Sequence, residues 1–377
     1  MEAMNPEGPT YRAALIGCGS MGSYYMDELG NRRGRTMLPI GHAEVLKTNR
    51  RTELVAGADP NRERLDDFGR RWSVDSLFED YREMLDRVRP DIVSIASPPE
   101  LHAEHVIACA ENGVKGIFCE KPLAPTLREA DALLAACEER GVRLSINHTR
   151  RGEPHNLRIR ELVQAGEFGE IKTVVVTWAG RLFLTGTHAF DLVNYFVGDD
   201  VATLWISGDA EDSPAEMKAV PTQRGVDVGG TAYVKYENGV RAFFNGRDNQ
   251  ASGFRLEIHG TQGFLSLTNN DEEIWRLLPD SPFRDLLQVP FPQMMYYTSP
   301  MAFFVEDLID AIETGRDPMS NGRTARRALE QILATHHSSQ RNGERVSFPF
   351  DHVDQRPPFK WFDESGKEIY HAAAVPR

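Results

Sequence analysis

Hydrophobic positions along this chain follow two rhythms. Between residues 11 and 147, short and nearly unbroken apolar runs lie at Arg12–Ile16, Glu53–Ala58, Asp91–Ala96, Val114–Cys119 and Val142–Ile146. Helical-period patterns separate them, clearest at Leu101–Glu111 and Leu127–Arg140. A strand that is apolar on both faces must be covered on both, and crossover helices supply that cover. The pattern predicts a parallel sheet with helices on either side. After Asn147 the rhythm changes. Pro154–Ala165 reads as a connecting helix, and strands with clear alternation follow. Phe254, Leu256 and Ile258 alternate with Arg255, Glu257 and His259, and Gly260-Thr261-Gln262-Gly263 turns that strand into Phe264–Leu267. Lys172–Trp178, Thr231–Tyr236 and Arg241–Asn245 are further strands of an antiparallel or mixed sheet. Pro300–Thr314, with an apolar face of Phe303, Phe304, Leu308 and Ile312, and Gly322–His337 are late helices. Residues 348–377 read as an extended tail. The predicted fold class is α/β: residues 1–147 form a nucleotide-binding domain, and residues 148–377 form a second α/β domain with an open, mostly antiparallel sheet. The late helices 300–337 are free to pack back on the first domain.

Composition narrows the function classes. A length of 377 residues exceeds one ordinary core. The net charge of −13 argues against a nucleic-acid partner, which needs a basic face. Met1–Thr10 is polar and carries no leader pattern, and no apolar run is long enough to cross a bilayer, so a cytoplasmic location without a membrane partner is expected. Cys18, Cys109, Cys119 and Cys137 lack metal spacing and read as small buried hydrophobes, and no metal is expected.

The first strand runs into Gly17-Cys18-Gly19-Ser20-Met21-Gly22 and then a helical stretch. A G-x-G-x-x-G motif is weak alone, but leaving a strand and opening a helix is the context that gives it meaning. Gly17 permits the tight turn, Gly19 lets backbone approach a pyrophosphate, and Gly22 allows close packing of helix on strand. Gly17, Gly19, Ser20, Met21 and Gly22 are therefore expected to bind a dinucleotide. Asp59, after the second strand, is placed to accept ribose hydroxyls and repel an extra phosphate, which favours NAD over NADP; it also fits an N-cap. It lies 37 residues after Gly22 (59 − 22) rather than the usual ~20. The excess falls in residues 24–40, with Arg32, Arg33 and Arg35, and reads as a solvated loop or a lid. Ser97 and Pro98 would border the nicotinamide, and His102 fits a cofactor contact or a structural role. Glu120-Lys121-Pro122 ends the fourth apolar run in a charged turn at the carboxyl edge of the sheet, where such sheets bind ligands. Lys121 is the first candidate for proton handling there.

Taken in order, Gly17–Gly22, Ala58-Asp59-Pro60, Ser97-Pro98-Pro99 with His102, and Glu120-Lys121-Pro122 resemble the glucose–fructose oxidoreductase / inositol dehydrogenase (Gfo/Idh/MocA) family. The resemblance continues through Arg150-Arg151, Gly186–Asp191 and Phe304-Val305-Glu306-Asp307-Leu308. It implies a Rossmann domain for residues 1–147 and a second domain whose sheet covers the cofactor cleft with one face and serves oligomer contacts, in a dimer or tetramer, with the other. His188 and Asp191, three apart, share a helix face with Tyr195 and coincide with the family's G-x-H-x-x-D position. A packing histidine and a dipole-balancing aspartate are the bland alternative. Many relatives carry an aspartate four residues before that histidine, where this chain has Leu184. His188 is then the expected general base, with Lys121 polarising the substrate oxygen. Glu120 is expected to face the cofactor, and His148, Arg150 and Arg151 to contact substrate. The implied activity is NAD-dependent oxidation of a secondary alcohol of a sugar, sugar derivative or cyclitol. Two alternatives remain open: glycoside cleavage through transient oxidation and elimination, and a non-enzymatic regulator that binds NAD and a sugar.

Overall fold

The computed structural model describes residues 8–25, 38–211, 225–247, 253–268, 271–278, 284–292, 299–358 and 360–361. The chain divides into two compact units. The first runs to Glu153 and takes in the stretch that ends at Arg323; the second begins at Pro154 and resumes at Thr324.

In the first unit six strands form one parallel sheet: β1 (Tyr11–Ile16), β2 (Thr52–Ala58), β3 (Ser76–Phe78), β4 (Ile92–Ile95), β5 (Gly116–Cys119) and β6 (Arg143–Ile146), in the order β3-β2-β1-β4-β5-β6. The order reverses between β1 and β4. That switch point opens a crevice outside the carboxyl ends of the strands, and nucleotides bind in such crevices. Helix Leu127–Arg140 starts at a Thr126 cap, whose hydroxyl accepts from the Glu129 N–H at 3.1 Å, and stops at Gly141 with φ +69. Helix Pro300–Thr314 returns late in sequence onto the same core. Its Phe304 ring lies 6.5 Å from that of Phe118, and a Cβ built on Gly116 would fall 2.6 Å from Ile312. A glycine in β5 is what lets this helix lie so close.

Among the described residues, the main sheet of the second unit has nine strands: β7 (Ile171–Ala179), β8 (Thr203–Ala210), β10 (Gly230–Tyr236), β11 (Arg241–Arg247), β12 (Arg255–Gly260), β13 (Gly263–Thr268), β14 (Asp271–Leu277), β15 (Leu286–Val289) and β16 (Val346–Ser347). Their order is β15-β14-β13-β12-β7-β11-β10-β8-β16, parallel at β11–β7 and otherwise antiparallel. The short segments β9 (Gly225–Val226) and β17 (Lys360–Trp361) pair separately. Alternation sorts the two faces, as it must where one side is buried. Ile206, Val234, Ala242, Val174, Ile258 and Leu265 point into the core, where Phe244 stacks on Phe190 of helix Gly186–Val197 at 4.0 Å. The other face carries Trp205, Tyr233 and Phe243, the last 43% exposed, with Tyr233 stacked on Phe243 at 4.8 Å.

Helices Leu127–Arg140 and Pro300–Thr314 keep their expected bounds, and the predicted hairpin is β12–β13. Strands β3, β8, β14 and β15 go beyond the pattern read from the sequence, because each is short or lacks a regular apolar/polar alternation. The expected helix after the glycine loop begins as a wide, π-helical turn, Ser20–Tyr24. The basic stretch with Arg32, Arg33 and Arg35 and most of the tail lie outside the described residues. All four cysteines are buried thiols.

Candidate active site

The loop after β1 is shaped by contacts that exclude side chains. Gly17 has φ +95, and a Cβ there would lie 2.7 Å from the Ala96 backbone. A Cβ on Gly22 would fall 2.0 Å from the Gly17 carbonyl oxygen, whereas one on Gly19 would meet open space. The loop is thus packed at both ends and open in its middle, a cradle in which a diphosphate can approach the backbone. Ser20 and Met21, in the turn that follows, are half-buried. Asp59 holds the loop from below: its Oδ2 accepts the Cys18 N–H at 2.8 Å and its Oδ1 accepts the Asn61 N–H at 2.9 Å. Burial, with Asp59 beside it, pushes the Cys18 thiol well up, so it stays neutral. Gly22→Ala is expected to weaken NAD binding about 10-fold or more, since the overlap must be relieved by shifting the loop at a cost of at least ~1.4 kcal/mol. Titration calorimetry with NAD checks this, and unchanged affinity would show that the loop tolerates the shift.

At the end of β5 the chain turns through Glu120, Lys121 and Pro122, with a cis Lys121–Pro122 bond. Glu120 is buried and Lys121 half-buried. Glu120 Oε1 lies 2.9 Å from His42 Nε2 and accepts the Asn147 amide N–H at 2.5 Å; its Oε2 accepts the Lys121 backbone N–H at 3.3 Å. Burial pushes this carboxyl up, but the His42 ring, the Lys121 ammonium and the Asn147 amide outweigh it and hold the group down at about 2. Asn147 Oδ1 is buried with no donor among the described residues, an acceptor suited to an amide N–H such as a nicotinamide carboxamide presents. His102 is fully buried, its Nδ1 2.9 Å from the Pro122 carbonyl oxygen and its Nε2 3.0 Å from that of Ser97. It ties the proline turn to the loop of Ser97 and Pro98. Burial holds its pKa down against both carbonyls and Glu120.

Beyond β6, His148 and Arg151 are fully buried in and beside the short turn Thr149–Gly152. The Arg151 guanidinium donates to the Met319 carbonyl at 3.4 Å, so this arginine braces the turn near Ser320. Arg150 is half-buried, 3.9 Å from Glu153, and burial lowers its pKa.

In the second unit His188 sits half-buried in the first turn of helix Gly186–Val197, with Asp191 one turn on and Tyr195 one further. Asp191 and Tyr195 are buried, and the Arg160 guanidinium lies 5.2 Å from the Tyr195 ring. The loop that leads into this helix is pinned by Asp227, which the sequence did not single out. Its Oδ2 accepts the N–H groups of Phe183 at 2.7 Å and Leu184 at 2.8 Å, and its Oδ1 that of Val228 at 2.8 Å. Burial pushes the Asp227 carboxyl up to about 7 against those three donors and Arg181. Where Leu184 leaves the expected acidic side chain missing, the carboxylate of Asp227, from the loop between β9 and β10, serves the backbone at that same residue. His42 was missed too; its signal is a histidine that opens the apolar helix His42–Thr48 at a sheet edge.

Residues 11–148 match the model of an oxidoreductase family with an NAD-binding Rossmann fold, and residues 178–266 match the GFO/IDH/MocA C-terminal domain. The chain is 25% identical over 307 residues to myo-inositol 2-dehydrogenase of Thermotoga maritima, covering 76% of this chain and 89% of that protein. It is 29% identical over 281 residues to levoglucosan dehydrogenase of Pseudarthrobacter phenanthrenivorans, covering 63% and 67%. Among solved structures, the WlbA dehydrogenase of Bordetella pertussis, in complex with NADH and UDP-GlcNAcA, aligns with a TM-score of 0.70 at 20% identity over 91% of this chain and 100% of that one.

Proposed function

The chain belongs to the Gfo/Idh/MocA family of oxidoreductases, and from that premise we propose that it transfers a hydride between NAD and a secondary alcohol of a sugar, sugar derivative or cyclitol. The observation that carries this reading is the Glu120-Lys121-Pro122 turn, locked by His42, Asn147 and His102 at the carboxyl edge of a sheet whose glycine loop is open at Gly19. NAD rather than NADP is supported by the buried Asp59 carboxylate at the end of β2, which would repel a 2′-phosphate.

Bound NAD supplies the hydride acceptor. The Lys121 ammonium would polarise the substrate hydroxyl and His188 would take its proton, the roles that oxidation of the alcohol to a ketone requires. Asp191 and Tyr195, on the helix face of His188, hold neighbouring hydroxyls, with Arg150 and His148 as further substrate contacts. His102 and Ser97 order the nicotinamide side. Contacts through the exposed aromatic face of the second sheet would join copies in a dimer or tetramer. A cytoplasmic location is proposed; among the described residues no helix is long and apolar enough to cross a membrane.

Purified protein with NAD and a panel of inositols, aldoses and glycosides tests the reading: NADH is expected to accumulate with at least one alcohol. His188→Ala should lower that turnover ~100-fold or more with the fold intact, as removal of a general base does. Unfolding of that variant would instead assign His188 to packing. Free sugar released from a glycoside without NADH would move the reading to redox-neutral cleavage, the outcome that Leu184 in place of an acidic residue favours. NAD binding with no conversion of any member would leave a regulator.

A further inference from the structure

His42 opens helix His42–Thr48 and is fully buried, far in sequence from its partners Ser94, Phe118 and Glu120. Its Nδ1 lies 2.5 Å from Ser94 Oγ on β4, its Nε2 lies 2.9 Å from Glu120 Oε1 at the end of β5, and its ring centre is 5.0 Å from that of Phe118. Asn147, just past β6, donates to the same Glu120 oxygen. The imidazole therefore links β4 to the carboxyl end of β5, and Glu120 carries the link on to Asn147 past β6. A carboxylate accepts only, so the His42 Nε2 must carry the proton of that contact. With Oε1 taken by two donors and Oε2 on the Lys121 N–H, the glutamate is left a single orientation.

Resting on the role given to Lys121 above, we propose that His42 is a positioning residue of the reaction: by sharing Glu120 Oε1 with the Asn147 amide it fixes the glutamate against the Lys121 backbone, and so sets the place from which the lysine side chain reaches substrate. The groups that face Glu120 are His42 from its helix, Lys121 in the same turn, Asn147 beyond β6, His102 from helix Pro99–Glu111 and Cys119 at the strand end. His42 is the strongest of those that oppose the cost of burying this charge. Without it the cost of burial is less opposed, and Glu120 takes up a proton at a higher pH than in the native enzyme.

The test follows the protonated-carboxyl infrared band through a pH titration of the full chain saturated with NAD, assigned by its loss in Glu120→Gln. In the wild type this band should be absent above about pH 5; in His42→Ala its midpoint should rise by about two pH units or more. Turnover, with myo-inositol as probe or whichever panel member the wild type oxidises fastest, should fall in His42→Ala toward acid pH and recover toward alkaline pH. His42→Gln, whose amide can donate where Nε2 did, should restore both. If His42→Ala does not fold, His42→Asn, which can keep the Ser94 contact and is too short for Glu120, carries the same expectations. An unmoved band, or a folded variant whose turnover is lowered equally at every pH, overturns the inference. Failure of the functional reading looks different: a wild type that oxidises nothing, or an active Lys121→Ala, with the band still shifted by loss of His42.

Discussion

Lys121→Ala should lower turnover by ~10²–10⁴-fold, the range expected when a group that handles a proton in the transition state is removed. Its affinity for NAD should stay within a few-fold of the wild type. The two expectations separate because different parts of the first unit carry them. The nucleotide is proposed to sit on the backbone at Gly17–Gly22 and beside Asp59, a loop braced by the contact of Asp59 with the Cys18 N–H, in which Lys121 has no part. Lys121 instead leaves the end of β5, where Glu120 Oε2 holds its backbone N–H and its side chain is half-buried. Truncation removes the ammonium and leaves in place the Lys121 N–H that meets Glu120 Oε2. NADH formation on the best alcohol of the panel, with calorimetry for NAD, measures both quantities. Turnover close to wild type would remove Lys121 from the chemistry, and parallel loss of NAD affinity would make it a cofactor ligand instead.

What the sequence made legible, and what it hid, divides along how local each feature is. The parallel sheet could be read because each of its main strands is apolar in itself, and the glycine loop because three glycines with distinct steric duties sit within six residues. Lys121 stood out because the turn that presents it is contiguous. His42 did not, since its partners Ser94 and Glu120 lie 52 and 78 residues further along the chain. In sequence it follows a basic, proline-containing stretch that looks like an insertion. Asp227 was hidden for the same reason: it serves backbone groups 43 and 44 residues earlier. The sequence shows Leu184 where an acidic group is expected, but not that a distant carboxylate, Asp227, reaches the backbone there. Edge strand β15 was missed on physical grounds as well, because Leu286 and Leu287 are exposed, 44% and 53%, and give no alternation to follow.

Asp227→Ala should cost the second unit more than any other single change considered. Three backbone N–H groups, those of Phe183, Leu184 and Val228, would lose their acceptor inside the protein. Each such loss costs about 1–3 kcal/mol. Together they put the substitution among the exceptional ones, at about 4 kcal/mol or more. The damage should begin in the loop before helix Gly186–Val197, so trypsin should cut after Arg181 in the variant at concentrations that leave the wild type whole. NAD affinity, a property of the first unit, should not change. Asp227→Asn is the sharper probe, since it keeps one oxygen for Phe183 and Leu184 and removes the titration. The native carboxyl is raised to about 7 from an ordinary value near 3.8, so what it contributes to stability is fully present below pH ~4 and is lost as pH rises through about 7. Asparagine has no such slope. The urea midpoint of Asp227→Asn should therefore lie furthest below that of the wild type near pH 5 and draw closer by pH 8. Midpoints that differ by the same amount at both pH values would show that Asp227 is ionised throughout, and its three donors would then outweigh its burial.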